Sequence, residues 1–361
     1  MFGKLGFGKN GPLVKDTIRR TPAPQVDHKI VVTSRKLQAV IHYLPKSYLV
    51  YMNNAKAGCS SIKSSLWSWR SPETLSNPHN KGASPFRHLF AGMVKDRKEL
   101  ETANVFTVVR NPYVRVLSAY LDKIATGKGG VAGKETRERF NIQGQTPSFS
   151  AFLDMIVTEE PELLDQHFAP QFYTTMHALI RYDFIGHLEE MEKVGSWLSQ
   201  WKIPQEDFRP HATNAAEMFR QHYTDRDFAL VRDYFAVDFE AFGYSDDPSV
   251  LTPVAPPKLP DVPRSNLADL VTAYGVKSAQ RRSEAILRLK ANAPAIDLEY
   301  LRLDVQDMSV AEFEALAQDA EAGRPMSWQK LERLAELDLQ TGNPERSARL
   351  LALAKKQKFP A

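Results

Sequence analysis

Residues 48–70 read YLVYMNNAKAGCSSIKSSLWSWR, and this stretch decides the fold class. Its first five residues are apolar, aromatic or β-branched, which predicts a short buried strand over 48–52. A loop containing Gly58 follows, and beyond it the apolar residues recur at helical spacing from Ser60 to Arg70. Serine is a favoured helix N-cap, so the helix is predicted to begin at Ser60.

The same pattern returns at residues 105–123, which read VFTVVRNPYVRVLSAYLDK. Residues 105–109 predict a second strand, and Pro112 suits the first turn of a helix over 113–126, where its missing N–H costs nothing. Two strand–turn–helix units in succession predict an α/β fold with a central parallel sheet flanked by helices.

Further elements of the same domain follow this unit. Residues 127–145 are rich in glycine and charge, which is typical of an exposed, mobile loop. Periodicity then predicts a strand over 182–186, helices over 148–158, 188–201 and 225–235, and an apolar, aromatic stretch over 237–244 that closes the domain.

Composition divides the chain into four predicted parts. Residues 1–27 are a basic, flexible arm without the apolar core of a secretory signal, and residues 28–245 are the main domain. Residues 246–264 contain six prolines and predict a semi-rigid linker. Residues 265–361 predict a small all-α region that resembles tetratricopeptide hairpins without a clean repeat and is a candidate site for a protein partner. Its predicted helices are 279–292, 309–322, 327–339 and 345–357.

Charge and cysteine content exclude several classes of protein. The net charge is +4 and the 47 basic residues are spread along the chain, which argues against a nucleic-acid-binding stripe. No run approaches the ~20 apolar residues of a membrane span. Cys59 is the only cysteine, so an internal disulfide and a cysteine-based structural zinc site are excluded. We expect a cytoplasmic location, with a peripheral position at the inner membrane as the alternative.

The loop from Lys56 to Ser61 predicts a phosphate site, because backbone N–H groups, a helix dipole and hydroxyls converge there. The lysine precedes the glycine, so the loop is not a Walker A motif. An ordinary strand–helix turn is the alternative. The second strand–turn–helix unit favours the phosphate-site interpretation. Arg110 follows its strand, and Arg115, Ser118 and Lys123 lie on its helix. Ligands of open α/β sheets bind at the carboxyl ends of strands, so two phosphate sites, and hence a bisphosphorylated nucleotide, are expected.

Residues 56–63 and 106–123 resemble the two cofactor motifs of the carbohydrate sulfotransferases of the HNK-1, chondroitin and dermatan type (sulfotransferase family 2) and their bacterial relatives. The stretches 165–171, 182–189, 211–214 and 238–244 follow in the family's order, so the resemblance covers about residues 45–245. The resemblance implies a three-layer, P-loop-like fold that uses 3′-phosphoadenylyl sulfate as the donor, without a metal, and a carbohydrate or glycolipid hydroxyl as the acceptor.

The resemblance also implies roles for individual residues. Lys56 is expected to contact the 5′-phosphosulfate and to stabilise the charge that develops as the sulfuryl group leaves. Arg110 and Ser118 are expected to hold the 3′-phosphate, while Thr213, beside His211, closes over the nucleotide. The remaining predicted donor contacts belong to the first loop: Ala57, Gly58, Cys59, Ser60 and Ser61.

The acceptor hydroxyl needs a base, and histidine titrates near working pH. His88 is the first candidate, because its place before Arg110 is similar to that of the base in the heparan 2-O-sulfotransferases; a surface or capping histidine is the alternative. His167 is the rival base or, with Gln171, a contact to the acceptor.

Two departures from the family pattern concern the first loop. Ala55 replaces the usual proline before the lysine, and Cys59 has no partner for the disulfides of secreted-pathway relatives. Two other functions are considered: an enzyme with Cys59 as nucleophile at a helix N-terminus, and an inactive nucleotide-binding scaffold with an interaction tail.

Overall fold

A four-stranded sheet lies at the centre of the computed structural model. The structure describes residues 28–29, 34–71, 86, 93, 95–126, 129–161, 164–205, 214–275, 279–293, 296–297, 310–323, 331, 334–335, 338 and 343–358. The strands are β1 (His28–Lys29), β2 (Ile41–Leu44), β3 (Leu49–Met52), β4 (Asn104–Val109), β5 (Phe184–His187) and β6 (Ile296–Asp297).

Fifteen α-helices are described along the chain. They are α1 (Ser34–Val40), α2 (Cys59–Arg70), α3 (Arg97–Thr102), α4 (Pro112–Tyr120), α5 (Gly130–Arg139), α6 (Phe149–Ile156), α7 (Gln171–Thr174), α8 (Met191–Leu198), α9 (Ala215–His222), α10 (Asp225–Tyr234), α11 (Ala236–Phe242), α12 (Ser265–Gly275), α13 (Ala279–Asn292), α14 (Val310–Glu321) and α15 (Pro344–Lys358). A π-helical turn, Leu121–Ala125, continues α4, and 3-10 turns flank α8 at Leu188–Glu190 and Ser199–Trp201.

The strand order of the central sheet is β2-β3-β4-β5. The pairs β3–β4 and β4–β5 are parallel, as predicted, but β2 pairs antiparallel with β3. The predicted parallel sheet therefore has an antiparallel strand at this edge. The reason is the short connection over residues 45–48, since a tight turn joins only antiparallel strands. The fold is mixed α/β.

Helices cover both faces of the sheet, because successive side chains of β3 point to opposite sides. Leu49 and Tyr51 pack with α2 and α8, while Val50 and Met52 pack into the larger core with α4, α6 and α10. All four side chains are fully buried. Burial on both faces explains why β3 and β4 are almost continuously apolar in sequence.

Gly129 and Gly133 serve close packing, and the segment over residues 127–145 is not the mobile loop that was predicted. Most of the segment is helix α5, and a Cβ at Gly129 or Gly133 would lie 2.2 or 2.5 Å from the carbonyl oxygen of Lys123. Arg137 of α5 donates to the carbonyl of Ile124. Glycine is thus required by the approach of α5 to the π-helical turn.

The other predicted elements of the main domain are largely confirmed. The helices over 148–158 and 225–235 correspond to α6 and α10, and the strand over 182–186 corresponds to β5. The predicted helix over 188–201 is divided into α8 and its two 3-10 turns. Residues 237–244 mostly form α11.

Helix α12 packs on the main core although it follows the proline-rich segment. Arg97 of α3 donates to Asp269 at 2.8 Å and to Thr272 at 2.9 Å, and Leu270 lies fully buried in the same core as the sheet. Helices α14 and α15 belong to a separate small core. The two-residue pair β1–β6 is parallel, so the C-terminal part is not entirely helical, in contrast to the prediction.

Some predictions fall on residues that the structure does not describe. The arm over 1–27 lies outside the described residues, as does most of the helix predicted over 327–339. None of the described helices is long and apolar enough to cross a membrane.

Candidate active site

Two turns meet at the carboxyl ends of β3 and β4. The first turn, residues 53–58, leads from β3 into α2; the second turn, residues 110–111, leads from β4 into α4. The strands are parallel neighbours, and the Thr107 hydroxyl donates to the Met52 carbonyl at 2.7 Å. Both turns therefore lie at one edge of the sheet, where open α/β sheets bind ligands.

The first turn depends on left-handed backbone conformations. Lys56 has φ 66° and Gly58 has φ 74°. A Cβ at Gly58 would lie 2.7 Å from Cδ1 of Leu188, so only glycine fits there. Gly58 is the N-cap of α2, which corrects the predicted start at Ser60. The amides of Cys59, Ser60 and Ser61 lie in the first turn of α2. Backbone N–H groups in a first turn have no intrahelical acceptor, and the positive end of the helix dipole lies there.

Lys56 shares one carboxylate with a second lysine. Its Nζ lies 3.1 Å from Oδ2 of Asp122, and Nζ of Lys123 lies 3.0 Å from the same oxygen. Burial lowers the pKa of Lys56, and the neighbouring Asp122 opposes that shift. Burial would raise the pKa of Asp122, but the two lysines hold it below its usual value. Three charges thus converge beside the first turn.

Sequence analysis missed Asp122, since nothing local connects residue 122 with residue 56. The aspartate is brought to Lys56 by the π-helical turn, which adds one residue per turn and changes the direction of the side chains after α4. In the sequence, Asp122 is only the residue before Lys123, and nothing there indicates its contact with Lys56.

The second turn directs Arg110 toward the first. Nη1 of Arg110 donates to the Lys56 carbonyl at 3.3 Å. Burial lowers the pKa of Arg110, and Glu189 opposes this. Glu189 accepts from the Asn111 amide at 3.0 Å and from the Tyr244 hydroxyl at 2.7 Å. The predicted pair Lys56 and Arg110 is therefore assembled in one place.

Gln171 joins the two turns. Its Oε1 accepts from Asn54 Nδ2 at 2.9 Å and from the Arg110 amide at 2.8 Å, while its Nε2 donates to the Arg110 carbonyl at 2.8 Å. The residue has no exposed surface. The prediction that Gln171 contacts the acceptor is therefore replaced by a positioning role, because its amide is engaged inside the protein.

The peptide of Gln171 is itself held by Asp238. The carboxylate accepts from the amides of Gln171 and Phe172, each at 2.8 Å. Burial raises the pKa of Asp238 to about 6, although Arg115 opposes the shift. Asp238, Gln171 and Arg110 thus form a continuous chain of hydrogen bonds that ends at the second turn.

Arg115 holds three loop carbonyls in the interior and is only 1% exposed. Nε donates to Ala55 at 2.9 Å, Nη2 to Gln166 at 2.8 Å and Nη1 to Ala169 at 2.8 Å. Arg115 therefore fixes the first turn against residues 166–169 rather than offering its guanidinium to a ligand. Ser118, on the same helix, is 2% exposed.

The predicted histidines are distributed between described and undescribed segments. Nδ1 of His167 lies 2.6 Å from Oδ1 of Asp165. Burial would raise the pKa of Asp165, but the hydrogen bonds from His167 hold it below its usual value. His88, His211 and Thr213 lie outside the described residues, and their roles stay predictions. Cys59 is a half-buried free thiol at the start of α2.

Comparison with known proteins relates this region to a family. The sequence model of the Sulfotransferase family matches residues 41–245, more than half of the chain. Carbohydrate sulfotransferase 14 of Homo sapiens is 26% identical over 162 residues, with 38% of this chain and 42% of the relative covered. The Danio rerio protein of the same name is 25% identical over 158 residues, with 38% and 43% covered. The chain thus spans less than half the length of these relatives. No solved structure matches it.

Proposed function

The chain belongs to the Sulfotransferase family, and we propose that it transfers a sulfuryl group from 3′-phosphoadenylyl sulfate to a hydroxyl of a carbohydrate or glycolipid. The observation that carries the choice of donor is the junction of the two turns. Lys56 and Arg110 lie at adjacent strand ends and are tied together through Gln171. We further propose that the sheet and its two helical layers form a P-loop-like fold.

The residues of both turns fit a bisphosphorylated nucleotide. The left-handed first turn and the start of α2 bring amides and the Lys56 ammonium to one point, which suits a 5′-phosphosulfate. The Arg110 guanidinium at the second turn suits the 3′-phosphate, with Ser118 and Thr213 as further proposed contacts. The first-turn contacts are proposed for Ala57, Gly58, Cys59, Ser60 and Ser61.

The chemistry required of the protein is charge stabilisation and proton removal. The donor supplies the sulfuryl group and a phosphate leaving group. Lys56 and the first amides of α2 stabilise the negative charge that develops on the leaving oxygen more strongly in the transition state than before it. A histidine, His88 or His167, accepts the proton of the acceptor hydroxyl.

The acceptor class rests on the relatives, which are named carbohydrate sulfotransferases. We propose a sugar hydroxyl of a surface polysaccharide or glycolipid precursor, modified in the cytoplasm or at the inner membrane. For residues 265–361, binding of a protein partner is the proposed role. Because the chain covers less than half the length of these relatives, its acceptor, its location and the role of residues 265–361 are proposals.

Calorimetry with 3′-phosphoadenosine 5′-phosphate tests the donor. We expect saturable binding by the intact protein and an affinity about 10- to 150-fold lower in Arg110→Ala. Absence of heat with the intact protein would contradict the enzyme and favour the inactive scaffold. Incubation with radiolabelled donor and a panel of polysaccharides and cell-envelope fractions then identifies the acceptor, with Lys56→Ala as the inactive control.

A further inference from the structure

We propose that His167, oriented by Asp165, is the general base that removes the proton from the acceptor hydroxyl. This inference rests on the proposed sulfotransferase function and deepens it by naming the group that touches the acceptor. Asp165 acts as a positioning residue in the same pair. The pair belongs to the segment between β4 and β5 that Arg115 holds beside the first turn.

The geometry of the pair is that of an oriented base. The backbone amide of His167 donates to Oδ1 of Asp165 at 3.0 Å, and the ring's Nδ1 lies 2.6 Å from the same oxygen. With Nδ1–H donating to the carboxylate, Nε2 carries the lone pair that can accept a proton. The His167 side chain is 18% exposed, so the ring is held and yet reaches the surface.

Other described histidines are engaged differently. His42, His177 and His187 are all buried, and each directs a ring nitrogen to a backbone carbonyl at 2.7 to 3.1 Å. His187 also has Glu190 at 3.5 Å, a longer contact than the 2.6 Å of His167 to Asp165. His222 is half-buried on α9, with its ring edge-on to Phe149. Within the described segments, His167 therefore combines exposure with a short carboxylate contact.

The position of His167 follows from two contacts with the donor turns. Arg115 binds the carbonyl of Gln166, the residue before His167, and the carbonyl of Ala55, the residue before Lys56. One guanidinium thus fixes the residue that precedes each of the two proposed catalytic residues, Lys56 and His167. Lys123, which shares Asp122 with Lys56, also exerts a coulombic effect on Asp165. The base and Lys56 therefore lie in one cluster.

The proposed step balances without a further reactant. A bond forms between the acceptor oxygen and sulfur, the bond between sulfur and the 5′-phosphate oxygen breaks, and its electron pair leaves with the phosphate. The acceptor proton passes to Nε2 of His167, whose positive charge Asp165 stabilises. Lys123 and Arg115 are cations that interact electrostatically with Asp165, the carboxylate that contacts the ring.

The decisive experiment compares His167→Gln with the intact protein, using the polysaccharide that gives the highest rate in the acceptor panel. General-base catalysis contributes about 10²- to 10⁴-fold, so we expect kcat to fall by at least ~100-fold. Affinity for 3′-phosphoadenosine 5′-phosphate should stay unchanged, and the acid limb of the pH–rate profile should disappear. His222→Gln is the matched control and should retain the wild-type profile.

Asp165→Asn separates positioning from folding. We expect a smaller loss of kcat than in His167→Gln and unchanged affinity for 3′-phosphoadenosine 5′-phosphate, since the ring keeps Nε2 but loses the carboxylate oxygen that orients it. His88→Gln should keep the acid limb. A His167→Gln variant with near-normal kcat, or one that loses nucleotide binding, would overturn the inference, as would loss of the limb in His88→Gln. If the intact protein itself transfers no sulfate, the proposed function fails instead.

Discussion

The two turns at the sheet edge contain similar residues but are held in different ways. In the first turn the backbone is left-handed at Lys56 and Gly58, and the lysine ammonium is held by the carboxylate of Asp122. In the second turn the backbone is held, because Gln171 binds both the amide and the carbonyl of Arg110. We propose that the two turns divide the work: the first presents a charge for chemistry, and the second positions a charge for binding.

The largest effect is expected when the lysine of the first turn is removed. Lys56→Ala should lower kcat by ~10³-fold or more, because the developing charge on the leaving oxygen loses its cation. Lys46→Ala provides a matched control, since Lys46 also has a left-handed backbone, with φ 61°, and lies exposed at the opposite end of β3. Initial rates with radiolabelled donor measure both. Equal losses in the two variants would contradict a chemical role for the first turn.

Arg110→Ala should act mainly on binding. A charge-assisted hydrogen bond contributes about 1.5–3 kcal/mol, so donor affinity should fall by about 10- to 150-fold. The change in kcat at saturating donor should be much smaller than in Lys56→Ala. Calorimetry with 3′-phosphoadenosine 5′-phosphate measures the affinity, and the exposed Arg226→Ala on α10 is the control. If Arg110→Ala lowers kcat as strongly as Lys56→Ala does, the two turns do not divide binding from chemistry.

The sequence predicted those parts of the site that depend on local pattern. The strands before both turns, the helices after them, and the cations Lys56 and Arg110 follow from apolar runs, Gly58 and Pro112. The same local reasoning explains its errors. The antiparallel edge strand β2 is another short apolar run, and strand direction depends on the connecting turn rather than on composition.

The supporting residues escaped prediction because their partners are distant in the chain. Asp122 meets Lys56 across 66 residues, and Gln171 meets Arg110 across 61. No periodicity records such contacts. The resemblance placed Gln171 beside the acceptor, whereas in the structure its side-chain amide is hydrogen-bonded to Asn54 and to the backbone of Arg110. Asp165 was within reach of sequence reasoning, because it lies only two residues before His167.

A third prediction breaks the link between the turns. Gln171→Ala removes hydrogen bonds from the amide and carbonyl of Arg110 and from Asn54 Nδ2, which keeps the Val108 carbonyl as an acceptor. A buried group left unsatisfied costs about 1–3 kcal/mol. We expect the free energy of unfolding to fall by about 3 kcal/mol, and donor affinity to fall by about tenfold as Arg110 loses its alignment. Urea unfolding and calorimetry measure these changes, with the exposed Gln143→Ala as control. Unchanged affinity in a destabilised variant would limit Gln171 to folding.

The carboxylate of the first turn should matter most at alkaline pH. Burial lowers the pKa of Lys56 and Asp122 opposes this, so Asp122→Asn should lower the pKa of Lys56 further. A deprotonated lysine cannot stabilise the leaving oxygen, and the alkaline limb of the kcat profile should therefore move to lower pH. Near neutral pH the loss should be only several-fold. An unshifted limb would show that Asp122 does not control the charge of Lys56.

The smallest effect is expected at Cys59, although it is the first residue of α2, directly after the first turn. In the proposed mechanism only its backbone amide takes part, and α2 keeps that amide when the side chain changes. Cys59→Ser should therefore keep kcat and donor affinity within about twofold, a difference of only ~0.4 kcal/mol. Substitution is a sharper test than thiol-blocking reagents, because a bulky adduct at this position would obstruct the phosphate site whatever the role of the sulfur. Loss of activity in Cys59→Ser with intact nucleotide binding would revive the rival mechanism, in which the thiolate is the nucleophile and the first turn serves covalent chemistry.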